Sequence, residues 1–334
     1  MRYSRHLKQI ARLIGIAIFI YIMLGIDVQN MLGFVFSIPP FFSLTLILSI
    51  FPMMILRGAR WKVIAEGIDL SLSTKQATEA LCLAHLAGLV IPGSFGDLIR
   101  IPYMKHKGNR VDRAIISILL DAIMGSVIPF TIGLLALAVI LEINISIEVA
   151  LIGCIWLVGG YISYRILRAT LWSRFMKARL RRLMKDGIRG RAFFTLPSML
   201  KALGGRRIAI SLALAAMLFA LYVSQAYLLA FALGMTIEWT YLAVTLGLTL
   251  LMMAIPVTIQ GLGIREGVLL FMLTRLGIGP TLIVSFSLTL MAINITPAIA
   301  GFVIWMRNPF VDITDQAILD EDVVWPSFPD IVEG

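Results

Sequence analysis

The chain has 334 residues, of which 59% are apolar and 14% charged, with a formal net charge of +10 and a mean hydropathy of +0.93. Soluble globular domains run about 45–50% apolar and about 25% charged, so this composition excludes an ordinary soluble protein. It also excludes a disordered chain, which needs low hydrophobicity and high charge.

The apolar runs are near-continuous and do not alternate, which argues against a β-barrel and for spanning helices. Arg2 to Arg12 hold four bases, so this end is expected at the cytoplasmic face. The first span is expected over 11–26, uncleaved, because no A-x-A-like site follows it. Residues 27–38 contain no Lys or Arg, and Asp27-Val28-Gln29-Asn30 reads as an outside loop. A second span, 39–56, leads to Arg57, Arg60 and Lys62, a return to the basic side. Further spans are expected over 114–141, 148–166, 207–233 and 281–305. Bases cluster at 100–113 and above all at 164–207, which holds 13 of them against the single acid Asp186. By contrast 142–147 and 234–240 have none. This asymmetry leads us to expect both termini at the cytoplasmic face of a multi-pass membrane protein. It also accounts for the positive charge without nucleic acid.

Within the loop 167–206, Trp172, Phe175, Met176, Leu180, Leu183 and Met184 interleave with bases. It is either a solvated loop that fixes orientation or an interfacial helix attracting anionic lipid. The tail 308–334 carries seven acids and no base, reads as disordered, and has a docking role on the basic loop as its alternative.

Two apolar stretches do not fit as simple spans. Residues 76–91 end at Pro92-Gly93, followed by Ser94-Phe95-Gly96-Asp97-Leu98-Ile99-Arg100. A full crossing would put Lys105 and Lys107 outside, so a re-entrant hairpin is expected. Residues 241–255 end at Pro256, followed by Val257 through Gln260, then Gly261-Leu262-Gly263-Ile264-Arg265-Glu266-Gly267 and a second apolar arm, 268–274. A hairpin from the outside fits there. The breaks share an Ile-Pro, a Ser or Thr two residues on, a Gly and an Arg, with one inserted residue in the second. The expected fold is therefore all-α and polytopic, with about six spans and two oppositely oriented hairpins. They form inverted units of about 39–141 and 207–305 within a membrane domain, 1–307. Broken elements at matched positions point to a transporter with a midplane site, because open backbone at depth must be shielded or line a wet cavity.

The charges at depth are the candidate site. Arg265 grips a phosphate, or pairs with Glu266 or a carbonyl and only holds the hairpin. Asp97 and Arg100 are a local pair, or a gate whose arginine binds an anionic headgroup. Asp121, about 10 Å into its helix, is a buried partner for Arg100 or Arg113, or a proton-coupling carboxylate. His85 is a core residue or a proton relay. Gln260 and Asn294 are struts, with Gln260 also a candidate ligand. The candidate headgroup set is thus Gly93, Ser94, Gly96, Asp97, Arg100, Gln260, Gly261, Gly263, Arg265 and Glu266, with Asp121, Arg113, Pro92 and Pro256 as coupling or gating positions. Glycines let a headgroup approach the backbone. No HExxH, CxxC, GxxxxGK[ST] or GxSxG occurs, Cys82 and Cys154 read as small buried hydrophobes, and no metal or cofactor is expected.

Three of these stretches resemble one family. Pro92-Gly93 through Gly96-Asp97 and Arg100 resemble the P-G-x-x-G-D-x-x-R of the lysylphosphatidylglycerol synthase transmembrane-region family. Arg113-Ala114, Ser117 and Asp121 resemble its R-A-x-x-S-x-x-x-D helix. Pro256, then Gly261 through Gly267, resemble its P-x-x-x-x-G-L-G-x-R-E-G. The resemblance covers roughly residues 5–307. It implies an inner-membrane protein that moves lipids between leaflets; the best-known members flip aminoacylated phosphatidylglycerol, and others are linked to polyprenol-phosphate sugar pathways. Where full-length synthases carry a soluble aminoacyl-transfer domain, this chain has the acidic tail, so transport without lipid synthesis is expected. The expected function is a flippase for an anionic phospholipid or polyprenyl-phosphate-type lipid, not an enzyme, with oligomerisation left open. The alternative is an enzyme or accessory subunit in lipid-linked sugar transfer or beside a separately encoded lipid synthase. The basic cytoplasmic segments offer no Asp-x-Asp for a nucleotide sugar, which counts against the enzyme.

Overall fold

The computed structural model describes residues 21–90, 93–140, 203–254 and 261–307. Among these the chain is helical, with no strand. Most of the expected span 11–26, the span 148–166, the stretch 142–147, residues 167–202 of the basic loop and the acidic tail lie outside the described residues.

Ten α-helices are described: α1 (Val28–Phe36), α2 (Pro40–Leu48), α3 (Ile50–Glu66), α4 (Thr74–Val90), α5 (Arg100–His106), α6 (Val111–Ile140), α7 (Gly205–Ala232), α8 (Trp239–Met253), α9 (Ile264–Leu273) and α10 (Pro280–Arg307). A 3₁₀ segment, Gly93–Ile99, precedes α5, and a 3₁₀ turn, Thr274–Leu276, follows α9. The stretch read as an outside loop at Asp27 is corrected: Asp27 caps α1, its carboxylate accepting from Asn30 N–H at 3.1 Å. Helices α2 and α3 form one apolar run, Pro40–Glu66, bent at Ser49 ahead of Pro52. Gln225 on α7 ties that bend, donating to the Leu46 carbonyl at 3.1 Å and to Ser49 Oγ at 2.7 Å. A reciprocal capping box starts α4: Ser73 N–H donates to the Gln76 side chain at 3.0 Å, and Gln76 N–H to Ser73 Oγ at 3.2 Å.

Four runs of 27 or 28 residues are long and apolar enough to span a bilayer: Pro40–Glu66, Arg113–Ile140, Gly205–Ala232 and Pro280–Arg307. The span expected to stop at residue 56 therefore continues ten residues further, and Arg57 and Arg60 lie inside a helix instead of on a basic loop. At one end of the bundle α3 finishes, α4 starts, α5 finishes and α6 starts. Here Arg113 at the head of α6 donates to the Asp69 carbonyl at 2.6 Å. Gly67 meets Leu203 and Arg207 at the head of α7, and Ile304 and Trp305 at the tail of α10 pack with Leu70, Leu72 and Tyr103. This first end carries Lys62, Lys75, Lys105, Lys107, Arg110, Arg113, Arg206, Arg207 and Arg307. At the second end, Ile140 on α6 packs near Tyr241 on α8, and Val284 on α10 packs against Ile26 and Met31.

Helix α4 enters at the first end and the chain returns there through the 3₁₀ segment and α5. Helix α8 enters at the second end and the chain returns through α9. The arms are antiparallel in both: Tyr103 Oη donates to Glu79 at 2.7 Å and Tyr241 Oη to the Met272 carbonyl at 2.7 Å. The first hairpin closes by backbone contact, since a Cβ on Gly96 would stand 2.6 Å from Gly88 N and 2.8 Å from the Ala84 carbonyl. In the second, Gly261 and Gly263 have φ of +76° and +85°, a conformation that favours glycine. Each entering arm packs most closely on the last helix of the other half. Gly301 on α10 lies against the Cys82 carbonyl of α4. Gly133 on α6 lies against Gly247 on α8, where a Cβ would be 2.5 Å from the Gly247 carbonyl oxygen. The missing side chains let these backbones meet.

Candidate functional site

The first cluster gathers where α3, the first hairpin and α6 converge. Helix α3 places Arg57, Arg60 and Trp61 on one side, separated by a turn or less. Asp121 lies ten residues into α6, about 15 Å from its start at 1.5 Å per residue. Arg60 Nε and Nη2 donate to Asp121 Oδ1 at 3.0 and 2.8 Å. Arg100 Nη1 donates to Asp121 Oδ2 at 3.0 Å, and Arg100 Nη2 to Asp97 Oδ1 at 2.7 Å. Arg100 and Asp121 are each 1% exposed. The Arg100 guanidinium lies 4.9 Å from the ring centre of Trp61, whose Nε1 donates to Ser117 Oγ at 3.1 Å. Gly125 makes room for Arg60: a Cβ there would stand 2.7 Å from both terminal nitrogens.

Arg57 differs from these two. Its contact among the described residues is His85 Nε2, at 3.5 Å from Nη1, and it makes no ion pair with a described carboxylate. His85 Nδ1 lies 2.9 Å from the Leu81 carbonyl.

The second cluster sits at the head of α9. Glu266 is fully buried and Arg265 is 7% exposed. Arg265 Nε and Nη2 donate to Glu266 Oε1 at 3.0 and 2.6 Å, and Nε also to Ser287 Oγ at 2.8 Å. Ser287 Oγ donates to Glu266 Oε1 at 2.8 Å. Glu266 Oε2 accepts Gly263 N–H at 2.7 Å, holding the left-handed glycine at the helix start.

The structure thus brings Asp97, Arg100 and Asp121 together, and brings Gly261, Gly263, Arg265 and Glu266 together. Of the two partners weighed for Asp121, Arg100 binds it; Arg113 does not, pairing instead with Asp69 at the first end. Asn294 donates to the Leu290 carbonyl within its own helix. Gly93 and Ser94 lie on the 3₁₀ segment. Pro92, Pro256 and Gln260 lie outside the described residues. Sequence reasoning missed Arg57, Arg60, Trp61 and Ser287. The signal was available for the first three: extended three turns beyond residue 56, the helical face of Ile50 and Met54 runs on through Arg57 and Trp61, with Arg60 beside it.

Beside the first hairpin lies an apolar cleft of about 250 Å³, lined by Phe51, Met54 and Ile55 of α3, Cys82 of α4, and Pro297 and Ala300 of α10. A neighbouring hollow of about 450 Å³ shares Ile55 and Cys82 and reaches Thr74 and Lys75 at the first end. Among the described residues no group of three His, Cys, Asp or Glu gathers that could hold a metal.

Among known families, the one described as "Lysylphosphatidylglycerol synthase TM region" matches residues 9–301. No curated protein matches the chain.

Proposed function

The chain belongs to the lysylphosphatidylglycerol synthase transmembrane-region family, and from that premise we propose that it is a flippase moving an anionic amphiphile between leaflets. One observation carries the reading. Each hairpin, entering from its own end of the bundle, presents a buried arginine–carboxylate cluster at the start of its returning arm. Charges inside a bilayer are costly and mark pathways, and paired broken elements mark transport sites.

In this reading both hairpins are re-entrant. The 17 residues of α4 rise about 25 Å, short of a full crossing of a hydrocarbon core of about 30 Å once loops are set at the headgroups. The basic first end faces the cytoplasm, with both termini on that side of the inner membrane. The lipid phosphate enters beside the first cluster, on the side where the Asp97 side chain is 29% exposed, while Arg100 and Asp121 stay sealed against each other. A hydrocarbon chain occupies the apolar cleft between α3, α4 and α10 or stays in the surrounding lipid. No chemical conversion is assigned to the protein, and its partners are the lipids themselves.

The test is leaflet exchange of fluorescent phosphatidylglycerol in proteoliposomes, scored by dithionite bleaching. The protein should accelerate exchange over empty vesicles, and Arg265→Ala should abolish the gain while the purified protein stays monodisperse. Equal rates with and without protein, for phosphatidylglycerol and for a polyprenyl phosphate, would refute transport. Constant co-purification with a lipid synthase, without exchange activity, would favour an accessory role instead.

A further inference from the structure

We propose that Arg57, with His85 beside it, is the landing site for the anionic group of the transported amphiphile. The inference rests on the transport reading and names a residue within it. It follows from a charge count. Among the described residues three guanidiniums, Arg57, Arg60 and Arg100, surround two carboxylates, Asp97 and Asp121. Arg60 and Arg100 use both of those carboxylates. The excess positive charge resides on Arg57.

His85 does not remove it. The Leu81 carbonyl can only accept a hydrogen bond, so His85 Nδ1 carries the proton and Nε2 faces Arg57 with its lone pair. The imidazole is neutral and lends a weak contact at 3.5 Å, the long limit for a hydrogen bond. Arg57 stands nine residues before the end of α3, about 13 Å into the bundle. An uncompensated guanidinium at that depth calls for an anion. Arg57 is half-buried, whereas Arg60 and Arg100 are sealed. A guanidinium presents a planar fork that fits phosphate oxygens. One negative charge brings the cluster to neutrality. Phosphodiesters of glycerolipids carry that single charge.

The protein in detergent is titrated with dihexanoyl phosphatidylglycerol, dihexanoyl phosphatidylcholine and inorganic phosphate, with melting temperature and tryptophan fluorescence as readouts. Trp61 lies one turn from Arg57 and serves as the reporter. Phosphatidylglycerol, with a single net negative charge, should stabilise the wild type more than phosphatidylcholine, whose choline cation cancels its phosphodiester charge. Arg57→Gln should weaken the phosphatidylglycerol response about tenfold or more. Arg57→Lys should keep part of it and guards against a folding defect. Lys62→Gln, at a half-buried base on the same helix that pairs with Glu66, should leave it unchanged. Undiminished binding in Arg57→Gln overturns the proposal, as does an equal loss in Lys62→Gln. Inorganic phosphate binding as tightly as the lipid overturns Arg57 as a site for an amphiphile. Because no leaflets are present in detergent, binding intact with no exchange in vesicles counts against transport alone. Exchange intact with binding indifferent to Arg57 counts against this site alone.

Discussion

Replacing Asp121 with asparagine tests how the first cluster is held. Asp121 is 1% exposed and accepts two bonds from Arg60 on one oxygen and one from Arg100 on the other, all at 2.8–3.0 Å. An asparagine keeps the shape but turns one oxygen into a donor facing a guanidinium, so one arginine loses its acceptor whichever way the amide is turned. The carboxylate that remains, Asp97, already binds Arg100 and is partly exposed. Removing one partner of a buried ion pair costs about 3–5 kcal/mol, because the charge left behind has nowhere to go. Folded proteins have only about 5–15 kcal/mol to lose. Asp121→Asn should therefore lower stability by roughly 3–5 kcal/mol in SDS titrations of mixed micelles. Adding Arg60→Met removes the stranded cation and should return a large part of the loss, a coupling on the order of 1–3 kcal/mol. Stability within about 0.5 kcal/mol of wild type in Asp121→Asn, or strict additivity in the double variant, would show that the charges are solvated and that the cluster is not a closed network.

In the second cluster, Glu266→Gln should cost about 3–5 kcal/mol by the same logic, and Ser287→Ala about 1 kcal/mol, both read by the same denaturation. Gly301→Ala and Gly133→Ala push a methyl group into the Cys82 and Gly247 carbonyls and should each cost about 1–3 kcal/mol. Gly267→Ala, inside α9 with nothing within 4 Å of the new carbon, should instead gain up to about 1 kcal/mol; destabilisation there would contradict the placement of that face. Single cysteines at Ser73 and Lys107 should label from the cytoplasmic face in intact cells, and cysteines at Thr236 and Gly279 from the opposite face. Any mixing of the two sets would break the arrangement of the hairpins. Gly96→Ala should separate the arms of the first hairpin, since its methyl would meet backbone atoms of Gly88 and Ala84, and it should abolish leaflet exchange.

The all-α membrane class was legible because burying a backbone in hydrocarbon leaves a long apolar run as its trace, and such runs need no partner to be recognised. The two breaks were legible for a similar reason: Pro92-Gly93 and the Gly261–Gly263 pair are local chemistry that no continuous helix tolerates well. What each charge does was not legible, because pairing is decided across elements distant in the chain. Arg60 and Asp121 are separated by 61 positions, and Arg265 and Ser287 by 22. Hydropathy ended the second span at residue 56, because an arginine lowers a window average whether it faces lipid water or a carboxylate. Only the packing of α3 against α4 and α6 turned Arg57 and Arg60 inward, and only the count of charges in that packed space left Arg57 in excess. Sequence sets which segments enter the membrane, since that depends on the transfer of each segment alone; tertiary structure sets which charges are neutralised, since that depends on what each one meets.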